Sequence, residues 1–73
     1  MIWEREVSLS DIAVLLQDGM KYITIVNVPE SMKVMDCVHF FDSLSSDCRC
    51  IFKVVRIDEK YGHLFARLKK VKT

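Results

Sequence analysis

Proline occurs once and glycine twice in the 73 residues, which excludes a collagen-like or proline-rich linker protein. Long apolar runs are missing too. Stretches such as Ala13–Leu16 fall far short of the ~18–20 residues that cross a bilayer, so we expect no membrane contact. The Ile-Trp-Glu-Arg-Glu that follows Met1 has neither the basic start nor the apolar middle of a secretory leader. Cysteine is sparse and odd in number: Cys37, Cys48 and Cys50. That argues against a disulfide framework and for a reducing, cytoplasmic setting. Cys48-x-Cys50 sets two sulfurs on one side of an extended strand, but a zinc site wants a second ligand pair, and the histidines on offer are His39 and His63. We therefore expect small buried or edge thiols, no metal and no cofactor.

What is present is apolar enough to fold. Hydrophobic residues make up 51% and charged residues 29%, which rules out a disordered tail. At this length one domain, 1–73, is the most the chain can close. The net charge of +1 conceals an asymmetry. Up to Cys48 three bases face eight acids, a balance of −5; from Arg49 on, eight bases face two acids, a balance of +6. Such a division steers polyanions, or a complementary protein surface, more strongly than the total suggests.

The order of elements reads as α+β. Ile2–Val7 is a short strand or an extended lead-in. Ser8 or Ser10 offers a helix N-cap, and Leu9, Ile12, Ala13 and Leu16 form one apolar stripe. Gly19 is placed to end that helix in a left-handed conformation, giving a helix over Leu9–Asp18. Lys21–Val28 is rich in β-branched residues and stops at Pro29. Further strands are expected at Asp36–Phe41, Cys48–Ile57 and His63–Val71, with turns at Ser43–Asp47 and Asp58–Gly62. In the long strand, Ile51, Val55 and Ile57 would share one face and Phe52 and Val54 the other, which suits a central position. In the last, Leu64, Ala66 and Leu68 would face inward. The fold expected is a curved sheet or small β-barrel of four to five mostly antiparallel strands with one N-terminal helix, as a monomer or homodimer.

Where helix gives way to strand, the chain reads Gly19-Met20-Lys21-Tyr22-Ile23-Thr24-Ile25-Val26. This resembles the G-x-K-x-x-E-x-R signature of the ASCH family, small relatives of the PUA RNA-binding domain. Gly19 and Lys21 match; Thr24 stands in the glutamate position, where a bacterial branch of small ASCH amidohydrolases also has threonine. Met32-Lys33-Val34-Met35-Asp36-Cys37-Val38 is similar to the family's hydrophobic-K-V-G-D-x-V stretch, with Met35 in the glycine position. The likeness spans Leu15–Phe41. It implies a PUA-like fold and an RNA or nucleotide-like ligand, bound between the helix end and the strand that starts at Lys21.

Departures from the pattern limit what carries over. Val26 replaces the arginine, removing a fixed cation. The helical segments usual before the final strand are replaced by a direct turn, Asp58–Gly62. In the amidohydrolase branch, the resemblance makes Lys21 a base and Thr24 a nucleophile acting on an acylated nucleoside, with a later acid, for which Glu59 is nearest by position. A threonine hydroxyl needs such a base, but positions 21 and 24 of a regular strand point to opposite faces. They converge only through a bend after Gly19 or a bulge. Otherwise Lys21 is a solvated lysine and Thr24 an ordinary strand residue. A domain that binds without catalysis fits the residues better.

Other candidates complete the reading. Arg67, Lys69, Lys70 and Lys72 form a basic stretch suited to phosphates, with Tyr61 and Phe65 near enough to stack on bases. The same charges on a final strand also serve to guard a sheet edge. Cys37-x-His39 suggests a nucleophile and base, although side chains two apart on a strand run parallel. We expect a half-buried structural His39, an exposed His63 and Trp3 as a core plug. Met1, Met20, Met32 and Met35 serve as gap-fillers or as part of an interaction surface. The two further functions left open are the hydrolase and a small phage or mobile-element protein that docks on a partner protein.

Overall fold

The computed structural model describes residues 1–72, with side chains as far as Val71. Six elements follow one another: β1 (Ile2–Val7), α1 (Leu9–Leu15), β2 (Tyr22–Val26), β3 (Cys37–Asp42), β4 (Cys50–Lys60) and β5 (His63–Lys72). The strands form a single sheet in the order β1-β3-β4-β5-β2. Three of its pairings are antiparallel; β1 runs parallel to β3. The α+β class and the single helix are as expected. The sheet is open: β1 and β2 are its two edges and do not meet, so no barrel forms.

Alternation builds the core. Val38 and Phe40 of β3, Cys50, Phe52 and Val54 of β4, and Ala66 and Leu68 of β5 are buried on one face. Ile12 and Leu15 of α1, with Val28 and Met32 from the loop after β2, close over that face. Phe40 and Phe52 meet edge to face, ring centroids 5.3 Å apart, the geometry aromatic pairs favour. β4 is the central strand, as its two apolar faces suggest. Its face assignment needs correction, however. A register shift between Val54 and Arg56 leaves Val55 unpaired, so Ile57 turns to the inner face with Ala66 instead of sharing the outer face with Ile51.

The helix is shorter than its pattern. Ser8 caps it, its Oγ accepting from the Asp11 amide at 3.2 Å. It ends at Leu15, with Leu16 as C-cap in a right-handed conformation. Tight turns follow, Gln17 N donating to Val14 O and Met20 N to Gln17 O. The left-handed positions are Asn27, Met35, Tyr61 and Gly62; Gly19 is not among them, so it does not end the helix in the expected way. The buried stripe is Ile12 and Leu15 with Leu16 half-buried, while Leu9 and Ala13 face solvent. The β4–β5 turn is likewise tighter than Asp58–Gly62: Lys60 pairs with His63, leaving Tyr61 and Gly62 alone. Both have positive φ, the requirement of a two-residue hairpin turn.

Two carboxylates tie loops to the sheet. Asp36 Oδ2 accepts from Trp3 Nε1 at 2.9 Å and from the Lys33 amide at 3.0 Å, and Oδ1 from the Met1 amino group at 3.1 Å. Trp3 is therefore a half-buried plug with its polar edge satisfied. Asp42, wholly buried, accepts from the Leu44 amide at 2.9 Å and pairs with the Arg49 guanidinium, spanning the β3–β4 loop. Met32 alone of the four methionines is buried; Met1 and Met35 are exposed.

Candidate functional site

The covered face of the sheet is apolar, so chemistry falls to the other. On β5, Leu64, Ala66 and Leu68 alternate with His63, Phe65, Arg67 and Lys69, which point outward. β2 presents Tyr22, Thr24 and Val26 on that side, and the register sets Tyr22 beside Lys69, Thr24 beside Arg67 and Val26 beside Phe65. From β4, Lys53 lies opposite Lys69, Arg56 opposite Arg67 and Asp58 opposite Phe65. Like charges directly across a ladder repel, and here two such pairs stand side by side, Lys53/Lys69 and Arg56/Arg67. Asp58 relieves them in part, accepting from Arg56 Nε at 2.8 Å, a solvent-exposed contact of small strength. The Arg67 guanidinium lies over the Tyr22 ring, 4.8 Å from its centroid, and is thereby held against the sheet. Thr24, Arg56, Asp58, Lys60, Phe65 and Arg67 line a hollow of about 280 Å³.

Among the candidates from the basic stretch, Arg67 and Lys69 belong to this surface. Lys70 does not. It follows Lys69 and so faces inward, its Nζ donating to Gln17 O at 2.9 Å and lying 6.0 Å from the Phe52 ring centroid. It fastens the end of the helical region to the sheet. The side chain of Lys72 lies outside the described residues. The edge-guard reading of these charges does not hold in space, because β5 sits between β4 and β2 and is no edge.

Lys21 and Thr24 are separated by strand parity. Thr24 opens onto the outer hollow. Lys21 precedes β2, is exposed, and is not part of that hollow's lining; its carbonyl accepts from the Lys70 amide at 2.7 Å. Glu59 pairs with Leu64 on the inner side, where both line a different hollow of about 400 Å³ with Glu30, Met32, Lys33, Val34 and Ile57. The three residues of the hydrolase reading are thus not gathered at one point. Compared with family models, curated proteins and solved structures, the chain matches none of them significantly. The resemblance to the ASCH pattern is therefore one of short motifs in the sequence and nothing more.

Two arrangements escaped the sequence. His39 lines a hollow of about 240 Å³ with Glu4, Phe41, Ser46 and Cys48, a lining that includes Cys48 from the end of the β3–β4 loop and not Cys37. The Cys48 thiol is exposed and donates to the Cys50 carbonyl at 3.4 Å, while burial pushes the Cys50 thiol up from its ordinary pKa. All three cysteines are free, and among the described residues no three metal-ligating side chains come together. No described helix is long and apolar enough to cross a membrane. The second arrangement is the outward alignment of Lys53, Arg56 and Lys60 with Arg67 and Lys69. A bulge in β4 sets part of it, and no local pattern announces that bulge.

Proposed function

We propose that the chain binds single-stranded RNA, or a nucleotide-like piece of it, on the outer face of β4, β5 and β2, without catalysis. The paired like charges Lys53/Lys69 and Arg56/Arg67 carry the reading. A fold gains nothing from cations stacked across interior strands, and phosphates set between them turn repulsion into attraction. Phe65 and Tyr22 on the same face supply rings for base stacking, and the Thr24 hydroxyl both donates and accepts. The ASCH likeness adds support at Met35. Where the family pattern has glycine, this backbone holds φ at 81°, a conformation that favours glycine.

Titration of a fluorescently labelled single-stranded RNA at low and moderate salt tests it. If about four cations meet phosphates, log affinity falls with log salt at a slope of about −3. Arg67→Gln combined with Lys69→Gln should weaken binding about tenfold or more and flatten the slope by about 1 to 2. Lys70→Gln, on the opposite face, should leave the slope unchanged. No binding at low salt, or equal loss from Lys70→Gln and the outer-face pair, overturns the proposal.

A further inference from the structure

The two sheet edges differ in protection. β1 carries Glu4, Arg5 and Glu6 through its middle, the charge pattern that discourages strands from adding to an edge. β2 reads Tyr-Ile-Thr-Ile-Val: it has neither charge nor proline, and its pairing with β5 shows no bulge. Among the described residues β5 is its only strand neighbour. The free groups on its open side can be named. Lys70 N donates to Lys21 O at 2.7 Å, and Asn27 N to Leu64 O at 2.8 Å. Antiparallel alternation then directs the N–H and C=O of Lys21, Ile23, Ile25 and Asn27 at β5. Those of Tyr22, Thr24 and Val26 point away from it.

We propose that this edge pairs with the same edge of a second copy, antiparallel about a two-fold axis through Thr24, so that both sheets continue into one. The register follows from the free groups. Thr24 exchanges both bonds with the Thr24 of the second copy, and Tyr22 does so with Val26 at either side. A slip of one residue would direct these groups past each other and swap the two faces; a slip of two would strand an end residue unpaired. The side chains fit the same register. Tyr22 and Val26, 45% and 44% exposed in the single chain, become an aromatic–β-branched cross-strand pair, and Ile23 meets Ile25 on the inner face. The match of β2 to itself favours a second copy over an unrelated strand.

Charge does not oppose the assembly. The two Arg67 residues end three strand spacings apart, about 14 Å, which exceeds the ~8 Å screening length at physiological ionic strength. The outer faces then form one cationic surface with both Thr24 hydroxyls at its centre. The dimer itself stands on β2 alone, whatever ligand that surface takes.

Sedimentation equilibrium without RNA, from micromolar to millimolar protein, should show the mass rising from 8.5 kDa toward twice that value. Thr24→Pro removes only an outward N–H, so the ladder to β5 is kept while pairing with the second copy is lost. It should remain at 8.5 kDa with an unchanged circular dichroism spectrum, whereas Thr24→Val should still dimerise. Amide exchange in the unaltered protein gives an answer free of folding effects. Protection of Tyr22, Thr24 and Val26 should fall on dilution while that of Ile23 and Ile25 persists. A monomer at millimolar concentration, a dimer retained in Thr24→Pro, or exchange at Thr24 independent of concentration overturns the proposal.

Discussion

Met35 holds a backbone conformation that costs a side-chain-bearing residue about 1–2 kcal/mol, while its own side chain is 66% exposed and gains little from packing. Its amide donates to Val54 O at 2.9 Å, so the strained position anchors the approach to β3 on the central strand. Met35→Gly keeps that bond and relieves the strain, offset in part by the greater freedom of glycine in the unfolded chain. We predict a net stabilisation of about 0.5–1 kcal/mol, read as a raised urea midpoint; a lowered midpoint would show that the methionine packs usefully after all. The sequence offered only a likeness here, Met35 standing in the glycine position of the ASCH pattern, and no expectation of a left-handed backbone. Lys70, by contrast, was legible. Strand parity, which set Leu64, Ala66 and Leu68 inward, also set Lys70 inward, and grouping it with Lys69 by proximity along the chain ignored that rule.

At the scale of elements, the β3–β4 connection is held from within by Asp42. Its buried carboxylate joins the Leu44 amide at one end of the loop to the Arg49 side chain at the other, while Arg49 N donates to Phe40 O at 2.8 Å. Asp42→Ala removes both carboxylate contacts and leaves a guanidinium without its partner. We predict a loss of about 2–4 kcal/mol by urea unfolding, with faster exchange of the Leu44 amide. A loss below about 0.5 kcal/mol would mean that other contacts hold the loop. Strand and helix existence was readable here from alternation and capping, and the central place of β4 from its two apolar faces. Pairing was not. The parallel β1–β3 ladder and the placing of β5 beside β2 depend on contacts distant in sequence, which no local period records. The β4 bulge likewise reversed the side to which Ile57 turns.

For the molecule as a whole, Asp36 is the point where β1, the loop before β3 and, through its carbonyl to Val54 N at 2.9 Å, the central strand come together. The Trp3 indole and the Lys33 amide, followed by the Met1 amino group, hold its carboxyl at a pKa of about 2, below the ordinary 3.8. A folded pKa below the unfolded one stabilises the fold above the unfolded value, and that stability is lost as pH falls through the folded value. Asp36→Asn should therefore unfold more readily than the unaltered protein at pH 5, and the gap between their urea midpoints should close between pH 4 and pH 2. A gap constant across that range would assign the effect to shape rather than charge. The candidate site was half legible at this scale. The basic second half of the chain pointed to a polyanion, but which cations share a face emerged only from the sheet order.

That order also bears on how the chain comes to fold as it is synthesised. β5 closes the gap between β4 and β2, so Thr24 waits for Arg67, made long afterwards, before its strand has any neighbour. Until then the uncharged Tyr-Ile-Thr-Ile-Val segment is free of its sheet on both sides, with only its own chain or another nascent copy to meet. Distant pairings of this kind slow folding, and removing the last strand would leave β2 an orphan rather than a smaller sheet.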